Sequence, residues 1–409
     1  MVYREYDPAR DKEAARRVWR EVGWIESGKE DVADAFLADR RVFVAEIKGE
    51  AECVVTSATG VIRYVDEDLP FVGCTGAATS RVARRQGLAK RLLARVLAAD
   101  VADGAAVAGI NIFEQGFYDR LGYGMGGYEH HFSFDPGALD VSVRPRVPRR
   151  LTRRDMELMH ASRLARRRGH GGLNFHHPSV TGLECLWAEK DFGLGYCDGD
   201  QGELTHHFWC SPRNTESGPY HLHWISYQTA DQFLELMGLL KSLGDQVALV
   251  SMREPPGIQL QDLIDRPLKL RRVTDKSRFE NRARSEAYWQ MRICDLRKCL
   301  EQTRLRGGET RFNLKLTDPI ENLLDADAAW RGVAGDYVVA LGASSGAEPG
   351  CDTSLPTLTA TVNAFTRLWL GVRPATGLAV TDELAGPPSL LEELDWALRL
   401  PDPKPDWEY

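Results

Sequence analysis

A basic hexapeptide, RRQGLA at positions 84–89, stands where a strand-like stretch gives way to a helical one. The first amides of a helix lack acceptors within the helix, and the helix dipole adds positive potential at that end. Gly87 would let the backbone approach a ligand closely, and Ala89 would keep that approach open. Arg84 and Arg85 would add charge for a diphosphate. The hexapeptide predicts a phosphate-binding turn; the alternative is a charged helix start with an incidental glycine.

A second candidate lies one strand further along, in the stretch GFYDRLGY of residues 116–123. Tyr118 would stand at the start of a short helix there. Its phenol could donate a proton to a leaving group. The alternative is an ordinary tyrosine of the core.

The chemistry of both stretches depends on the elements around them. The helical stretch PARDKEAARRVWREVGW is followed by the strand-like stretches RVFVAEI, AECVVTSATGVIRYVD and FVGCTGAAT. After the turn, one helical face carries Leu88, Leu92, Leu93, Val96 and Leu97. AAVAGINIF then predicts another strand, and EHHFSF a closing one. These elements predict an α/β domain over residues 1–138, which ends at a Pro- and Gly-containing connection.

The remaining chain divides into two further predicted domains. Within residues 139–285, YHLHWISYQ, TADQFLELMGLLKSLGD and QVALVSMRE repeat the strand–helix–strand order, but SYQTADQF replaces the basic glycine turn. We expect a degenerate second copy of the same fold. Within residues 286–409, MRICDLRKCLEQTRL reads as a helix, and TRFNLKLTD, GDYVVALGA and PTLTATVNAF follow as strands. This order predicts a small α+β domain.

Composition and charge disfavour several classes of protein. The chain has 409 residues, a net charge of −7 and 43% hydrophobic residues, which indicates two or three globular domains and no nucleic-acid partner. The N-terminus lacks an apolar signal-peptide core, and no stretch approaches the roughly 18–20 apolar residues of a membrane span. We therefore expect a cytoplasmic protein without a membrane partner. The eight cysteines form no C-x-x-C pair and are expected to be free thiols.

Two further features could bind ligands. Residues 144–168 carry ten arginines and two acids, which would suit either a polyanion patch or a linker followed by a solvated helix face. The second interpretation is favoured, because no aromatic residues interleave with the arginines. Adjacent histidines such as His206 and His207 would point to opposite faces of a strand, and His221 and His223 lack a third ligand at a familiar spacing. No metal is expected.

Together the two candidate stretches resemble the GNAT superfamily of N-acetyltransferases. In that superfamily an R/Q-x-x-G-x-G/A turn binds the pyrophosphate of acetyl-CoA, and a tyrosine in an F-Y-x-x-L-G-Y/F stretch protonates the departing thiolate. Arg84, Gly87 and Ala89 match the first motif, and residues 117–123 match the second. The pair of motifs is more specific than either alone.

The resemblance implies a chemical role for Tyr118. A thiol has a pKa of about 8.5 and tyrosine one of about 10, so Tyr118 would be protonated at neutral pH and could donate as a general acid. Backbone amides of residues 74–79 would face the thioester oxygen. The residues expected to contact acetyl-CoA are Ala78, Thr79, Arg84, Arg85, Gln86, Gly87, Leu88, Ala89 and Phe113.

The whole chain resembles, more narrowly, the enhanced intracellular survival (Eis) family. Its members have two GNAT-like domains and a C-terminal sterol-carrier-protein-like domain, which implies tandem GNAT folds, the second degenerate, before an α+β end. Residues 113–124 are similar to that family's E-G-G-x-Y-G-R-F-G-Y-G stretch, with departures at Gln115, Asp119 and Leu121. Phe113 stands where a small residue that contacts the cofactor is common.

The Eis resemblance also implies an acceptor site. In that family the α-carboxylate of the last residue enters the first active site as general base, and the penultimate acid helps to attract a cationic substrate. Tyr409 and Glu408 match that ending, and Trp24 and Glu26 fall where the substrate-facing loop would lie. Composition alone also allows a frayed tail, core packing for Trp24 and a solvated Glu26.

The expected function is acetyl-CoA-dependent N-acetyl transfer within a ternary complex. The acceptor would be a primary amine of a cationic small molecule, such as an aminoglycoside or polyamine, or of a lysine side chain. The resemblance also implies a homo-oligomer, often a hexamer. An alternative of another class is a lipid- or ligand-binding protein with a non-catalytic GNAT scaffold, and a third is an acyltransferase for longer chains.

Overall fold

A computed structural model of the chain describes residues 1–26, 28–111, 114–186, 190–198 and 202–408. These residues form three β-sheets with helices packed against them. All eight cysteines are free thiols, as expected. Among the described helices, none combines the length and the apolar character needed to cross a bilayer.

The helices and strands follow one another in three segments. The first contains β1 (Val2–Glu5), α1 (Pro8–Glu21), α2 (Glu30–Leu37), β2 (Arg41–Ile47), β3 (Glu50–Tyr64), β4 (Glu67–Thr79), α3 (Leu88–Ala102), β5 (Val107–Asn111), α4 (Gln115–Asp119) and β6 (Gly124–Met125). The second contains β7 (Glu129–Phe134), β8 (Arg149–Leu151), α5 (Met156–Ala165), β9 (Leu173–Phe175), α6 (Ser179–Leu186), β10 (Phe192–Cys197), β11 (Leu204–Pro212), β12 (Tyr220–Ser226), α7 (Ala230–Ser242), β13 (Val250–Arg253), α8 (Pro267–Thr274) and β14 (Arg282–Glu286). The third contains β15 (Trp289–Ile293), α9 (Leu296–Glu301), β16 (Thr310–Thr317), β17 (Gly335–Leu341), β18 (Gly346–Pro349), β19 (Thr357–Thr361), α10 (Val362–Trp369), α11 (Ala375–Thr381), β20 (Leu384–Ala385) and α12 (Pro388–Ala397).

The first sheet has the order β1-β2-β3-β4-β5-β15-β6, and β9 pairs with the second half of β3. Its strands pair antiparallel except for β4 and β5, which run parallel. Helix α3 connects these two strands and covers the sheet with the buried side chains of Leu92, Leu93 and Val96. The apolar face predicted for this helix is therefore its packing face.

The second sheet has the order β14-β7-β13-β12-β11-β10-β8. Here β12 and β13 run parallel and α7 connects them. The strand–helix–strand order predicted for this segment is confirmed, and it repeats the arrangement of β4, α3 and β5.

The third sheet, β18-β17-β16-β19-β20, carries the helices of the last segment. Its core is continuous with the first sheet. The rings of Tyr64 in β3 and Trp369 in α10 stack with centroids 4.4 Å apart, and the Tyr64 hydroxyl donates to the Trp369 carbonyl at 2.9 Å. The α+β character predicted for this segment is confirmed.

Two strands cross the predicted domain boundaries. β7, predicted to close the domain of residues 1–138, lies between β13 and β14 in the second sheet. β15, within predicted domain 286–409, pairs with β5 in the first sheet. The segment Met291–Ile293 was predicted as helix and is strand; α9 begins only at Leu296. All five residues of β15 are buried, so the strand lacks the alternation that would distinguish it from a buried helix.

A smaller correction concerns the stretch PTLTATVNAF, predicted as one strand. The strand ends at Thr361, and Val362 begins α10. The Thr361 hydroxyl accepts a hydrogen bond from the Ala364 amide at 3.3 Å. This N-cap ends the strand and starts the helix.

Candidate active site

The parallel strands β4 and β5 separate soon after they meet. Their register ends at the pair Gly73–Gly109, whereas β4 continues to Thr79 and β5 to Asn111. A β-bulge follows at Gly76, where two residues of β4 stand opposite one of β3. In the described part of the chain, no strand pairs with β4 beyond Gly73 on the β5 side. Its backbone is therefore open to a ligand there.

The basic turn lies at the end of β4, as predicted. Gly87 has φ of 76° and precedes α3 without any side-chain cap, so the first amides of the helix stay available. This left-handed conformation favours glycine. The side chains of Arg84, Arg85 and Gln86 are exposed.

Three of the predicted acetyl-CoA contacts have side chains that point elsewhere. Ala78 and Leu88 are 4% and 1% exposed and belong to the core. The Thr79 hydroxyl donates to the Cys53 thiol at 3.2 Å. These residues can therefore meet a ligand mainly through their backbones. Phe113 lies outside the described residues.

The equivalent turn before α7 is closed. Thr229 and Gln232 form a capping box, in which each side chain accepts a hydrogen bond from the other residue's backbone amide at 3.3 Å. The free amides that would bind an anion are thus partly satisfied by the protein itself. Of these two matching helices, α3 alone begins without a side-chain cap.

Tyr118 lies in α4, beside the open edge of β4. Glu114 caps that helix by accepting from the Gly116 amide at 3.2 Å. The Tyr118 side chain is 8% exposed, and its ring centroid lies 5.0 Å from that of Phe117. Burial is the main cause that raises the pKa of Tyr118 to about 12, and the nearby Cys74 adds to the shift. The phenol therefore keeps its proton at ordinary pH.

A cavity of about 400 Å³ opens between this region and the second sheet. Its wall includes Trp24, the bulge residue Gly76 and Glu408 of the C-terminal tail. Trp24 and Glu408 therefore share the wall of one cavity, and their substrate-binding role stays a prediction. Glu26 does not line the cavity: its exposed side chain pairs with Lys29 at 3.3 Å.

The C-terminal tail is docked along the second segment. The Leu173 amide donates to the Pro405 carbonyl at 3.0 Å. Trp407 is 1% exposed, and the Arg163 guanidinium lies 3.8 Å from its ring centroid. Glu408 binds Arg253. The described tail is therefore not a frayed end; Tyr409 lies outside the described residues.

These contacts correct part of the interpretation of the arginine-rich segment as linker and solvated helix face: Arg144, Arg150 and Arg154 are exposed as expected, but two arginines are buried. Arg163 and Arg166 are 2% and 7% exposed. Arg166 donates to Asp406 through Nε at 3.2 Å and to Asn174 through Nη1 at 2.6 Å. The sequence could not show these partners, because Asp406 is 240 positions away from Arg166.

With this geometry, residues 8–126 match the family model described as "Acetyltransferase (GNAT) domain". This segment is a GNAT acetyltransferase domain. The chain therefore contains a GNAT acetyltransferase domain, and this domain holds the turn at Gly87 and Tyr118. No curated protein matches the chain.

Solved structures extend the similarity to the whole chain. A GCN5-related N-acetyltransferase from Anabaena variabilis superimposes with a TM-score of 0.79 at 13% identity, over 100% of both chains. Eis1 from Mycobacterium abscessus gives a TM-score of 0.78 at 16% identity, again over 100% of both chains. A GCN5-related N-acetyltransferase from Kribbella flavida gives a TM-score of 0.73 at 17% identity, over 100% of this chain and 98% of that chain. At these identities the similarity is one of fold.

Sequence reasoning missed two charged residues of the cavity that faces the GNAT domain. Glu184 in α6 binds Arg163 at 3.0 Å, and burial raises the pKa of Glu184 to about 7, against the opposing effect of Arg163. Arg40 follows α2, and burial lowers the pKa of its guanidinium to about 10. Both line the cavity. Neither stands in a motif, and they meet only because the first two segments pack together.

One group of possible metal ligands appears among the described residues. Ligand atoms of Asp198, His206 and Glu235 lie within 4.8 Å of one another. Arg146 already binds two of them, through Nη1 to Asp198 at 2.6 Å and through Nη2 to Glu235 at 2.6 Å. His206 Nε2 lies 3.1 Å from Glu235. The two acids thus already share a guanidinium, and we assign no metal to them.

Proposed function

We propose that the chain transfers the acetyl group of acetyl-CoA to a primary amine, directly within a ternary complex. The acceptor would be a cationic small molecule, of the aminoglycoside or polyamine type, or a lysine side chain. The uncapped left-handed turn at Gly87, at the end of the open strand β4, carries the proposal.

The donor would lie between β4 and β5. Free amides at the start of α3 and the side chains of Arg84, Arg85 and Gln86 would hold its diphosphate. Backbone groups of β4 up to Thr79 would pair with the pantetheine arm. The capped start of α7 supports one donor site per chain, at α3 and not at α7.

The acceptor would enter from the cavity. Glu184, Glu408 and Trp24 would attract and hold its ammonium group. After losing a proton, the amine nitrogen would attack the thioester carbon, and the carbon–sulfur bond would break. Tyr118 would protonate the sulfur. The base role of the Tyr409 α-carboxylate stays a prediction.

The resemblance also supports finer structural proposals. We take the first two sheets as tandem GNAT-like domains, the second without a donor site. The third sheet and its helices would be the sterol-carrier-protein-like domain. The homo-oligomer and the cytoplasmic location stay predictions.

A thermal-shift titration tests the donor site. A ligand at 100 times its Kd stabilises a protein by about 2.7 kcal/mol, so acetyl-CoA should raise the Tm of the chain. Arg84→Gln with Arg85→Gln should weaken this shift. Replacement of the exposed Arg271 and Arg272 of α8 by Gln is the control and should leave the acetyl-CoA shift in Tm unchanged. The absence of any shift at large excess would favour a non-catalytic binding protein.

A further inference from the structure

Among the described residues, the cavity beside the β4 bulge contains a partly buried cation, Arg40, that forms no ion pair. The guanidinium carbon of Arg40 lies 4.2 Å from the centroid of Phe36. Its Nε and Nη1 atoms are buried, and neither has a hydrogen-bond partner in the structure. A buried charge that lacks a partner is costly. The lowered pKa of Arg40 has the same physical cause, namely burial.

The acids of the cavity are already engaged by other arginines. Glu184 binds Arg163 at 3.0 Å, and Glu408 binds Arg253. Glu184 influences Arg40 only from beyond ion-pair distance. Each of these carboxylates therefore has its own cation, and the charge left over on the described wall is the one on Arg40. A ligand of this cavity is expected to bring a negative group for Arg40 in addition to the ammonium group that faces Glu184 and Glu408.

The unpaired cation lies close to the expected reaction centre. A Cβ atom built on Gly76 would lie 2.6 Å from Cε1 of Phe36, so that ring packs directly on the bulge. Arg40 stacks on the same ring. A molecule that reaches from the bulge to Arg40 spans little more than one aromatic ring. The cavity, at about 400 Å³, has the size of an ordinary small-molecule site.

We propose that the acceptor is a small amino carboxylate, whose carboxylate binds Arg40 while its amine lies beside the β4 bulge. This inference rests on the proposed acetyl transfer and replaces its cationic acceptor with a zwitterionic one. A single guanidinium matches one negative charge, and the nearby acids disfavour a phosphate, which carries about −1.5 to −2 at neutral pH. In the reaction a nitrogen–carbon bond forms and the thioester carbon–sulfur bond breaks. The ammonium group of the acceptor loses two protons in all: one goes to solvent, and the other restores Tyr118 after that residue has protonated the sulfur of CoA. CoA therefore leaves as the thiol, and the carboxylate of the acceptor is unchanged.

A panel of matched amines tests the proposal. The full chain is supplied with saturating acetyl-CoA, and CoA release is measured with amino acids and with their carboxamides, which keep size and amine but lose the negative charge. At least one amino carboxylate should exceed its amide in kcat/KM by about 10- to 100-fold, the range expected for a hydrogen-bonded charge. Polyamines and aminoglycosides complete the panel.

Variants of Arg40 assign the effect to its guanidinium. Arg40→Gln should lower kcat/KM for the carboxylate through KM and bring it close to that of the amide, whereas Arg40→Lys should keep the preference. The exposed Arg311→Gln is the matched control and should change neither value. The acetyl-CoA thermal shift of Arg40→Gln should equal that of the unchanged chain, which also shows that the variant is folded.

Several results would overturn the proposal. Faster acetylation of amides, polyamines or aminoglycosides than of every amino carboxylate would leave acetyl transfer intact but remove this acceptor class. If Arg40→Gln lowered kcat/KM equally for amino carboxylates and for their amides, the guanidinium would serve the structure of the protein and not the binding of a carboxylate. Should no amine be acetylated, calorimetric titration of amino acids into the chain in the presence of CoA decides whether the carboxylate site exists. If the chain binds none of them, the site is refuted. A missing acetyl-CoA shift would instead refute the proposed function.

Discussion

At the scale of single residues, the expected acid and the acceptor site both depend on burial. Burial raises the pKa of Tyr118 to about 12 and that of Glu184 to about 7. The tyrosine therefore stays neutral, while the glutamic acid changes its charge near neutral pH. Each shift leads to a different experiment.

Replacing Tyr118 by Phe should lower kcat by about 10²- to 10⁴-fold, because a general acid contributes a factor of that order. The KM for acetyl-CoA should stay within about twofold, since the ring and its packing remain. Steady-state kinetics provide both values. Tyr123→Phe, which removes a buried hydroxyl 3.4 Å from the Cys74 sulfur, is the control. Unchanged turnover in Tyr118→Phe would remove this residue from the acid role.

Ionisation of Glu184 predicts a pH dependence of acceptor binding. Because burial raises its pKa to about 7, the side chain is mostly neutral at pH 6 and mostly a carboxylate at pH 8. If that carboxylate attracts the ammonium group, KM for the acceptor should fall about tenfold between these pH values. In Glu184→Gln, KM for the acceptor should not depend on pH in this range. In the control Glu348→Gln, which changes an exposed side chain, the pH dependence should remain. A profile that stays steep in Glu184→Gln contradicts this role.

At the scale of elements, two similar strand–helix–strand units differ at the start of their helices. Gly87 leaves the amides of α3 open, whereas the capping box of Thr229 and Gln232 closes those of α7. One uncapped turn therefore distinguishes the proposed donor site from the corresponding place before α7. Because α3 and α7 each connect two parallel strands, the start of α7 serves as a reference for the start of α3 within the same chain.

The substitution Gly87→Ala should destabilise the chain by about 1–2 kcal/mol, because φ of 76° is unfavourable for alanine. It should also weaken acetyl-CoA binding, since relief of that strain moves the amides. Gly257→Ala is a matched control: φ there is 72°, and a Cβ atom at either glycine would have no neighbour within 4 Å. Denaturation and acetyl-CoA titration measure both effects. Equal acetyl-CoA affinity in the two variants would separate Gly87 from the donor site.

At the scale of the whole molecule, the cavity is assembled from distant parts of the chain. Trp24, Glu184 and Glu408 come from three segments and meet only at its wall. Trp407 holds the neighbouring Glu408 in place, because its buried ring packs against Arg163 and Phe175. The acceptor site therefore depends on how the tail is held.

The anchor predicts the effect of Trp407→Ala. Loss of a buried tryptophan destabilises a protein by about 3–5 kcal/mol. Because the Trp407 ring holds the tail, its removal should release the tail. Hydrogen exchange of residues 401–408 should increase and KM for the acceptor should rise, while acetyl-CoA still binds. Trp396→Ala removes a tryptophan that is 73% exposed and should change neither measurement. A protected tail and an unchanged KM in Trp407→Ala would contradict this role.

The sequence by itself determined the local features of the proposed donor site. The run from β4 through Gly87 into α3, and the position of Tyr118 after β5, follow from glycine chemistry and from helix and strand periodicity, which act over a few neighbouring residues. The repeated strand–helix–strand order was equally local. These parts were predicted with the correct elements.

Only the tertiary structure decided which segments share a sheet and a cavity. β7 lies in a sheet other than the one predicted, and β15, part of which was predicted as helix, joins the first sheet, because strand pairing joins edges regardless of distance along the chain. The buried Arg163 and the unpaired Arg40 carry no local signal, since a charge is read as exposed until its surroundings are known. Burial, charge pairing and the shape of the acceptor cavity are properties of the packed chain, and no pattern of neighbouring residues encodes them.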